Sequence, residues 1–300
     1  MLRYCTLQDH VCVEAAGTDA VEFLRAQLTN DPPAEHGAFA TAAWCDARGR
    51  VRALFHVLRA GDERCVLVTE RETADAVLKA MRMYVLRAKV ELRAVEEWRV
   101  AAIVGDAGDV AAWAKQRVGP DRAHRLQVGA GLAYAVGPAP AVERAVGGLK
   151  KTEAQQIELD AIRLGLPRVR GAAMLQYVPQ MLNLDRIGAV SFTKGCYPGQ
   201  EVVARLHHRG SVKRRMQRFS FEHDGANALP GAGDAIVVGN DDSSEGSGHS
   251  DAVGEVIRSA SVDAHGELLA VVQLDVLGSP LRLDGGARAL LRHEPLPYDH

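Results

Sequence analysis

The residues best equipped for chemistry lie between Phe192 and Glu201, in the run FTKGCYPGQE. Cys196 stands between two glycines, two residues after Lys194 and just ahead of a helix-forming stretch. A thiol reacts as its thiolate, which a nearby cation and the unpaired amides of a helix N-terminus both favour. Lys194 supplies the first and the stretch after Pro198 the second, while Glu201 acts in the opposite sense. Pro198 suits a first helical position, and GQEVVARLHH places Val202, Val203 and Leu206 on one face with Gly210 as a stop. Two readings stand. Cys196 is an activated, exposed thiol able to be oxidised, to attack, or to bind a metal or cluster shared with a partner. Otherwise it is a small residue in a tight loop whose glycines serve the backbone. A Cys–His dyad is not expected, since His207 and His208 fall about 15 Å along the same helix at 1.5 Å per residue.

The following run contains Arg205, Arg209, Lys213, Arg214, Arg215 and Arg218. It reads either as a solvated face or as a receiver for a polyanion such as RNA phosphates. No aromatic residues are interleaved with it, which argues against a platform for stacked single-stranded bases.

The elements that must position these residues are visible in the wider pattern. A strand spans residues 9–15, followed by a helix with Ala20, Phe23, Leu24 and Leu28 in register and Thr18 as its cap. Strands near 38–45, 50–58 and 64–69 form an antiparallel meander through Asp46-Ala47-Arg48-Gly49 and Gly61-Asp62-Glu63. Val77, Leu78, Met81 and Val85 mark a second helix, running into YVLRAKVEL and another strand. VAAIVG, GDVAAWAKQRV, LAYAV and AVERAVGGLKK then read as strand, helix, strand, helix. Val104 to Gly108 lacks the spacing of a nucleotide loop and is a plain turn. After about residue 215 only short strands and turns remain, as in a small barrel or sandwich, with Asn240 to Ser250 as a hairpin tip.

With 300 residues, two or three domains are expected. The 36 Lys+Arg nearly balance 38 Asp+Glu, so no global charge draws the chain to nucleic acid or membrane. No apolar run approaches the ~18 residues of a spanning helix, and no secretion pattern opens the chain. The five cysteines are an odd set with no CxxC pair, which fits reduced thiols in a cytoplasm. A zinc or iron–sulfur site built by this chain alone is not expected, and no metal ligands are assigned.

The segment VPQMLNLDRIGAVSFTKGCYPGQEVVARLHHRG closely resembles the signature region of the YgfZ family, folate-binding proteins related to the T-protein of the glycine cleavage system. K-G-C-Y-x-G-Q-E is its diagnostic string. GTDAVEFLRAQLTND resembles the family's opening helix, CDARGRVRALFHVLR its first hairpin, YVLRAKVEL the strand closing that region and HEPLPY its C-terminal ending. The resemblance implies an α+β fold, a T-protein-like ring of three domains around a central opening. Two mixed α/β regions (1–95 and 96–212) would form the folate-binding part, with a C-terminal β-barrel over 213–300.

The function so implied is a folate-binding accessory role in iron–sulfur cluster assembly or repair, including clusters of tRNA-modifying enzymes. Cys196 is the family's key residue, with Lys194 beside it. The implied cofactor is tetrahydrofolate, in polyglutamylated form, and the implied partners are iron–sulfur carriers or client proteins. For folate contacts, His10 and Ile157 match aromatic positions of some relatives. Gln180 and Asn183 of the PQxxN string are either polar anchors in the opening or loop-stabilising amides. Tyr197 would shape the loop, and Gln200 and Glu201 would fix the helix entrance or face the ligand. The basic run from Arg205 to Arg218, with Arg205 at its head, would attract the folate glutamates or a client complex. The rival implied by the same kinship is an aminomethyltransferase, and a third possibility is direct tRNA binding through 205–218. Against the rival, the acidic pair of the T-protein's first hairpin falls on Ala53 and Leu54, neither able to transfer a proton. Its pterin-contacting glutamate falls on Arg163, which cannot accept hydrogen bonds.

Overall fold

Strand residues 10–16 alternate side chains between two apolar surroundings, so a sheet covered on both faces is required. The computed structural model describes residues 1–116, 122–222, 229–239, 251–284 and 289–298. Its opening strand β1 (Arg3–Thr6) precedes a first unit of β2 (His10–Ala16), α1 (Ala20–Gln27), β3 (Phe39–Cys45), β4 (Val51–Gly61), β5 (Arg64–Glu70), α2 (Arg71–Arg82) and β6 (Glu91–Ala94). A second unit holds β7 (Trp98–Val104), α3 (Ala107–Ala114), β8 (His124–Gly129), β9 (Leu132–Pro138), α4 (Ala139–Val146), β10 (Lys150–Lys151) and α5 (Ala154–Arg163). After a long connection come α6 (Gln200–Arg209) and the strands β11 (Arg214–Glu222), β12 (Ala235–Val238), β13 (Gly254–Val262), β14 (His265–Gln273), β15 (Leu281–Leu283) and β16 (Leu290–Glu294).

Among the described residues these strands form two five-stranded sheets, ordered β3-β4-β5-β2-β6 and β10-β1-β7-β9-β8, and a closed barrel β11-β14-β13-β12-β15-β16. The expected α+β plan of two mixed units and a barrel is therefore present. One strand breaks the linear division at residue 95: β1 pairs with β7 and β10 and so belongs to the second sheet.

Each sheet has one face under its own helices. Val13, Ala15, Phe55 and Leu67 meet Phe23, Leu24, Val77 and Leu78 of α1 and α2. Ala101, Ile103, Ala133 and Ala135 meet Val110, Trp113, Ala141 and Val142 of α3 and α4. The remaining faces turn towards each other, where Cys12, Leu58, Val66 and Val68 pack with Val100, Ala102, Tyr134, Val136 and Ile157. A third apolar seam joins Ala43, Cys45 and Val51 to Leu159, Ile162, Leu182, Val203 and the barrel residues Met216, Leu269 and Val271. Each fully buried Leu or Ile here contributes about 1.5–3 kcal/mol, and a central opening remains where the two seams meet.

Several local expectations change. The N-cap of α1 is Asp19, whose carboxylate accepts the Lys89 amide at 2.7 Å, so Thr18 does not cap. Residues 83–90 cross the surface without strand pairing, and the strand begins only at Glu91. The fourth helix stops at Val146, because Lys150 and Lys151 pair beside β1. Asn240 to Ser250 lies outside the described residues. No described helix is long and apolar enough to cross a membrane.

Candidate functional site

Cys196 is the exposed member of the five cysteines, and the other four are buried. Its loop is fastened to the first unit from end to end. Asn30 Nδ2 donates to the Gly188 carbonyl at 2.9 Å, Thr29 Oγ1 to that of Ala189 at 2.7 Å, and the Ser191 amide to that of Thr29 at 2.9 Å. Lys194 Nζ donates to the Arg25 and Leu28 carbonyls at 2.5 and 2.6 Å, where α1 ends and its dipole is negative. The same ammonium lies 5.1 Å from the centre of the buried Tyr197 ring. Burial lowers the Lys194 pKa, with Asp31 opposing, and burial raises that of Tyr197. Lys194 is thus a staple for the loop, its hydrogen bonds spent on α1 rather than on Cys196.

Pro198 lies outside the helix, and α6 begins at Gln200 behind Gly199 at φ 79°. A Cβ on Gly199 would stand 2.4 Å from the Asp46 carbonyl oxygen and 2.5 Å from Gly49 Cα. Glycine alone allows this turn to seat on the β3–β4 hairpin. At the far end of α6, Phe192 stacks on His207 with ring centres 3.7 Å apart, so that imidazole is engaged away from the thiol.

The second feature is the central cavity, with about 80 Å³ of space open to water-sized molecules. Its wall takes His10, His56 and Glu70 from the first sheet, Tyr134, Ile157 and Glu158 from the second unit, Arg168 from the connection and Arg258 from the barrel. The Tyr134 ring meets the edges of His10 and His56 at centroid distances of 5.8 and 5.4 Å. Thr41 Oγ1 and His56 Nδ1 are 3.0 Å apart. Burial lowers the pKa of His10 and takes that of His56 down to about 3, so both rings are neutral at pH 7. Among the described residues the Tyr134 hydroxyl has no hydrogen-bond partner from the protein.

Around this aromatic group runs an ion network. Arg168 grips Glu70 with Nε and Nη2, both at 2.7 Å, reaches Glu158 at 2.9 Å, and pairs with Asp9. Arg258 bonds to Glu158 through Nε at 3.2 Å and to the Leu166 carbonyl at 2.8 Å. Asp9, His10 and Glu70 are close enough to hold a cation, and the Arg168 guanidinium already bonds both carboxylates.

The sequence-derived residues divide between these places. His10 and Ile157 line the cavity. Gln180 and Asn183 do not. Gln180 is 1% exposed and donates to the Val203 carbonyl, and Asn183 is fully buried, donating to Met216 and Tyr298 and accepting from Arg215. They are loop-stabilising amides rather than ligand anchors. Tyr197, Gln200, Glu201 and Arg205 stay with the Cys196 loop and α6, outside the cavity wall. The basic run is also divided: Arg215 pairs with Asp185 and Arg218 with Glu267, leaving Arg205, Arg209 and Lys213 exposed. Arg163 pairs with Glu267 at 2.7 Å and leaves the cavity to Glu158. Leu54 does line it, so the replaced acidic pair brings no carboxylate there. His56, Tyr134, Arg168 and Arg258 carried no sequence signal, because only tertiary structure gathers them.

No family model matches the chain. It is 31% identical to the tRNA-modifying protein YgfZ of Edwardsiella ictaluri over 324 aligned positions, covering 99% of this chain and 92% of the relative. The chain belongs to the YgfZ family. A second YgfZ, from Klebsiella pneumoniae, is 29% identical over 99% of this chain and 93% of its own. An uncharacterized protein of Haemophilus influenzae is 28% identical over 74% of the chain and 75% of that protein. The glycine cleavage system aminomethyltransferase T of Bartonella henselae superposes with a TM-score of 0.71 over 99% of this chain and 86% of its own, at 16% identity. The YgfZ chain thus has a T-protein-like fold.

Proposed function

We propose that the protein is a cytoplasmic, folate-binding accessory factor for iron–sulfur cluster assembly or repair, serving clusters of tRNA-modifying enzymes among others. The observation that carries this reading is the presentation of Cys196: one exposed thiol on a loop stapled by Lys194, Tyr197 and Gly199, apart from four buried cysteines. Such a thiol offers a ligand or an exchange partner to a cluster held by another protein. The chemistry of the cavity lining supports a reduced pterin as ligand, with flat neutral rings, apolar Ile157 and an unengaged Tyr134 hydroxyl. His10, His56, Tyr134 and Ile157 would hold tetrahydrofolate, which supplies a reduced, one-carbon-carrying pterin when bound. Neutral imidazoles can each donate or accept one hydrogen bond there.

Aminomethyl transfer is disfavoured, since Glu70 and Glu158 are committed to arginines and Leu54 stands in place of an acid. Direct tRNA binding is weakened by the internal pairing of Arg215 and Arg218. The deciding test compares wild type and Cys196→Ser in a strain lacking its own YgfZ. The serine variant should bind tetrahydrofolate polyglutamates normally by calorimetry and fail to restore cluster-enzyme activity. Full restoration would sink the thiol reading, and no folate binding by wild type would remove the folate half.

A further inference from the structure

Beyond α2 the chain crosses the helical side of the first sheet as an irregular strap, residues 83–90. Val85, Ala88 and Val90 pack down on the core beneath α1 and α2. The Tyr84 and Val85 amides donate to the Met81 and Arg82 carbonyls at 3.0 and 3.1 Å, so the strap is held at its base. Its other apolar side chains face water: Met83 is 70% exposed, Tyr84 44% and Leu86 86%. One exposed leucine is ordinary, but three such residues within four positions of an anchored segment make a patch.

Cations flank this patch, with Asp19 and Glu91 at its far end. Arg82, Arg87 and Lys89 are exposed and form no salt bridge among the described residues, and the strap itself has no acidic residue. Arg82 donates to the Leu92 carbonyl, a neutral acceptor that leaves its charge uncancelled. The patch stands on the same unit as the Cys196 loop. Tyr84 meets Trp44 edge-on at 5.9 Å, and Trp44 Nε1 donates to Gln27 Oε1 at 3.3 Å, beside the Arg25 and Leu28 carbonyls held by Lys194. The strap's own bonds run to the start of α1, between Asp19 and the Lys89 backbone, and Tyr84 reaches the last turn of α1 through Trp44.

We propose that this strap is a docking site for a partner protein, one presenting an apolar pocket with an acidic rim, which it holds against the unit that carries the Cys196 loop. The proposal rests on the reading that Cys196 serves a client protein. An exposed apolar patch flanked by cations that form no salt bridge matches that surface in polarity and charge, and interfaces draw most of their affinity from a few such anchors. RNA would leave Met83 and Leu86 unused, and three side chains insert too little apolar surface to hold a bilayer.

A photoreactive benzoylphenylalanine at position 83, in cells lacking their own YgfZ, should capture a protein. The captured protein is then identified, purified and titrated against the unlabelled full chain. Binding should weaken tenfold or more with Leu86→Ser and with Arg87→Glu, both at exposed positions, and stay unchanged with Cys196→Ser. Equal binding by all variants would overturn the proposal. So would capture of a second copy of this chain with dimerisation in solution, or strap-dependent binding to phosphatidylglycerol vesicles or tRNA in place of a protein. Restoration of cluster-enzyme activity separates the two ideas. Full activity of the Leu86 and Arg87 variants with loss in Cys196→Ser removes the docking site alone, and the reverse pattern removes the thiol reading.

Discussion

Gly199 and Gly195 flank the same cysteine under different constraints. Gly199 sits at φ 79° with no room for a Cβ against Asp46 and Gly49, whereas a Cβ on Gly195 meets nothing within 4 Å. Gly199→Ala should therefore cost about 2–4 kcal/mol, from left-handed backbone strain plus overpacking. Gly195→Ala should change stability by less than about 0.5 kcal/mol. Urea titrations of the two variants check this, and equal effects would refute the seating of the loop on the hairpin. The cysteine and its neighbours were readable because a contiguous string carries them. The cavity was not, since His56, Tyr134, Arg168 and Arg258 are scattered over three units. Gln180 and Asn183 misled because an amide has the same residue type whether it binds a ligand or closes a loop.

At the scale of elements, Lys194 joins the end of α1 to the segment preceding α6. Lys194→Met keeps the length of the side chain and removes both bonds to carbonyls. It should cost about 1–2 kcal/mol and speed hydrogen exchange of residues 188–197 while the barrel is unaffected. Unchanged exchange in that segment would show that the other bonds suffice. Long alternating or helical patterns made β3, β4, β5, α1 and α2 legible. β1 (RYCT) and β8 (HRLQVG) were not, being short and interrupted by polar residues, with strand identity conferred by neighbours in the sheet. The strap at 83–90 resembled a strand from composition, yet its inward Val85, Ala88 and Val90 are spaced three and two apart.

Over the whole molecule, Arg168 ties the first sheet to α5, and through Glu158 to the barrel. Arg168→Gln leaves three carboxylates facing one another and should destabilise by about 3–5 kcal/mol. A urea midpoint within error of wild type would contradict the hub role. His56 gives the molecule a pH dependence of definite sign. Its pKa is depressed in the folded state from 6.5 to about 3, so the unfolded chain binds the extra proton. Stability from this group is complete above about pH 6.5 and drains away as pH falls towards 3. The loss on that descent is on the order of a few kcal/mol. Melting curves from pH 7 to 4 should be flatter for His56→Gln than for wild type, and parallel curves would exclude the assignment. The three-part plan itself was legible because the change from mixed helices and strands to strands alone falls at one place.

The pairing of β1 with β7 has a consequence for synthesis. β1 leaves the ribosome well before its neighbours, and finds them only after Trp98–Val104, and then Lys150, have been made. At about 5–20 residues per second that is a wait of roughly 5–20 s. During it the first sheet can close while carrying an unpaired edge on a short tether, a template for wrong pairing until β7 arrives. Birth of this chain is therefore not a sequence of finished domains. β7 must reach back across a whole sheet to collect β1.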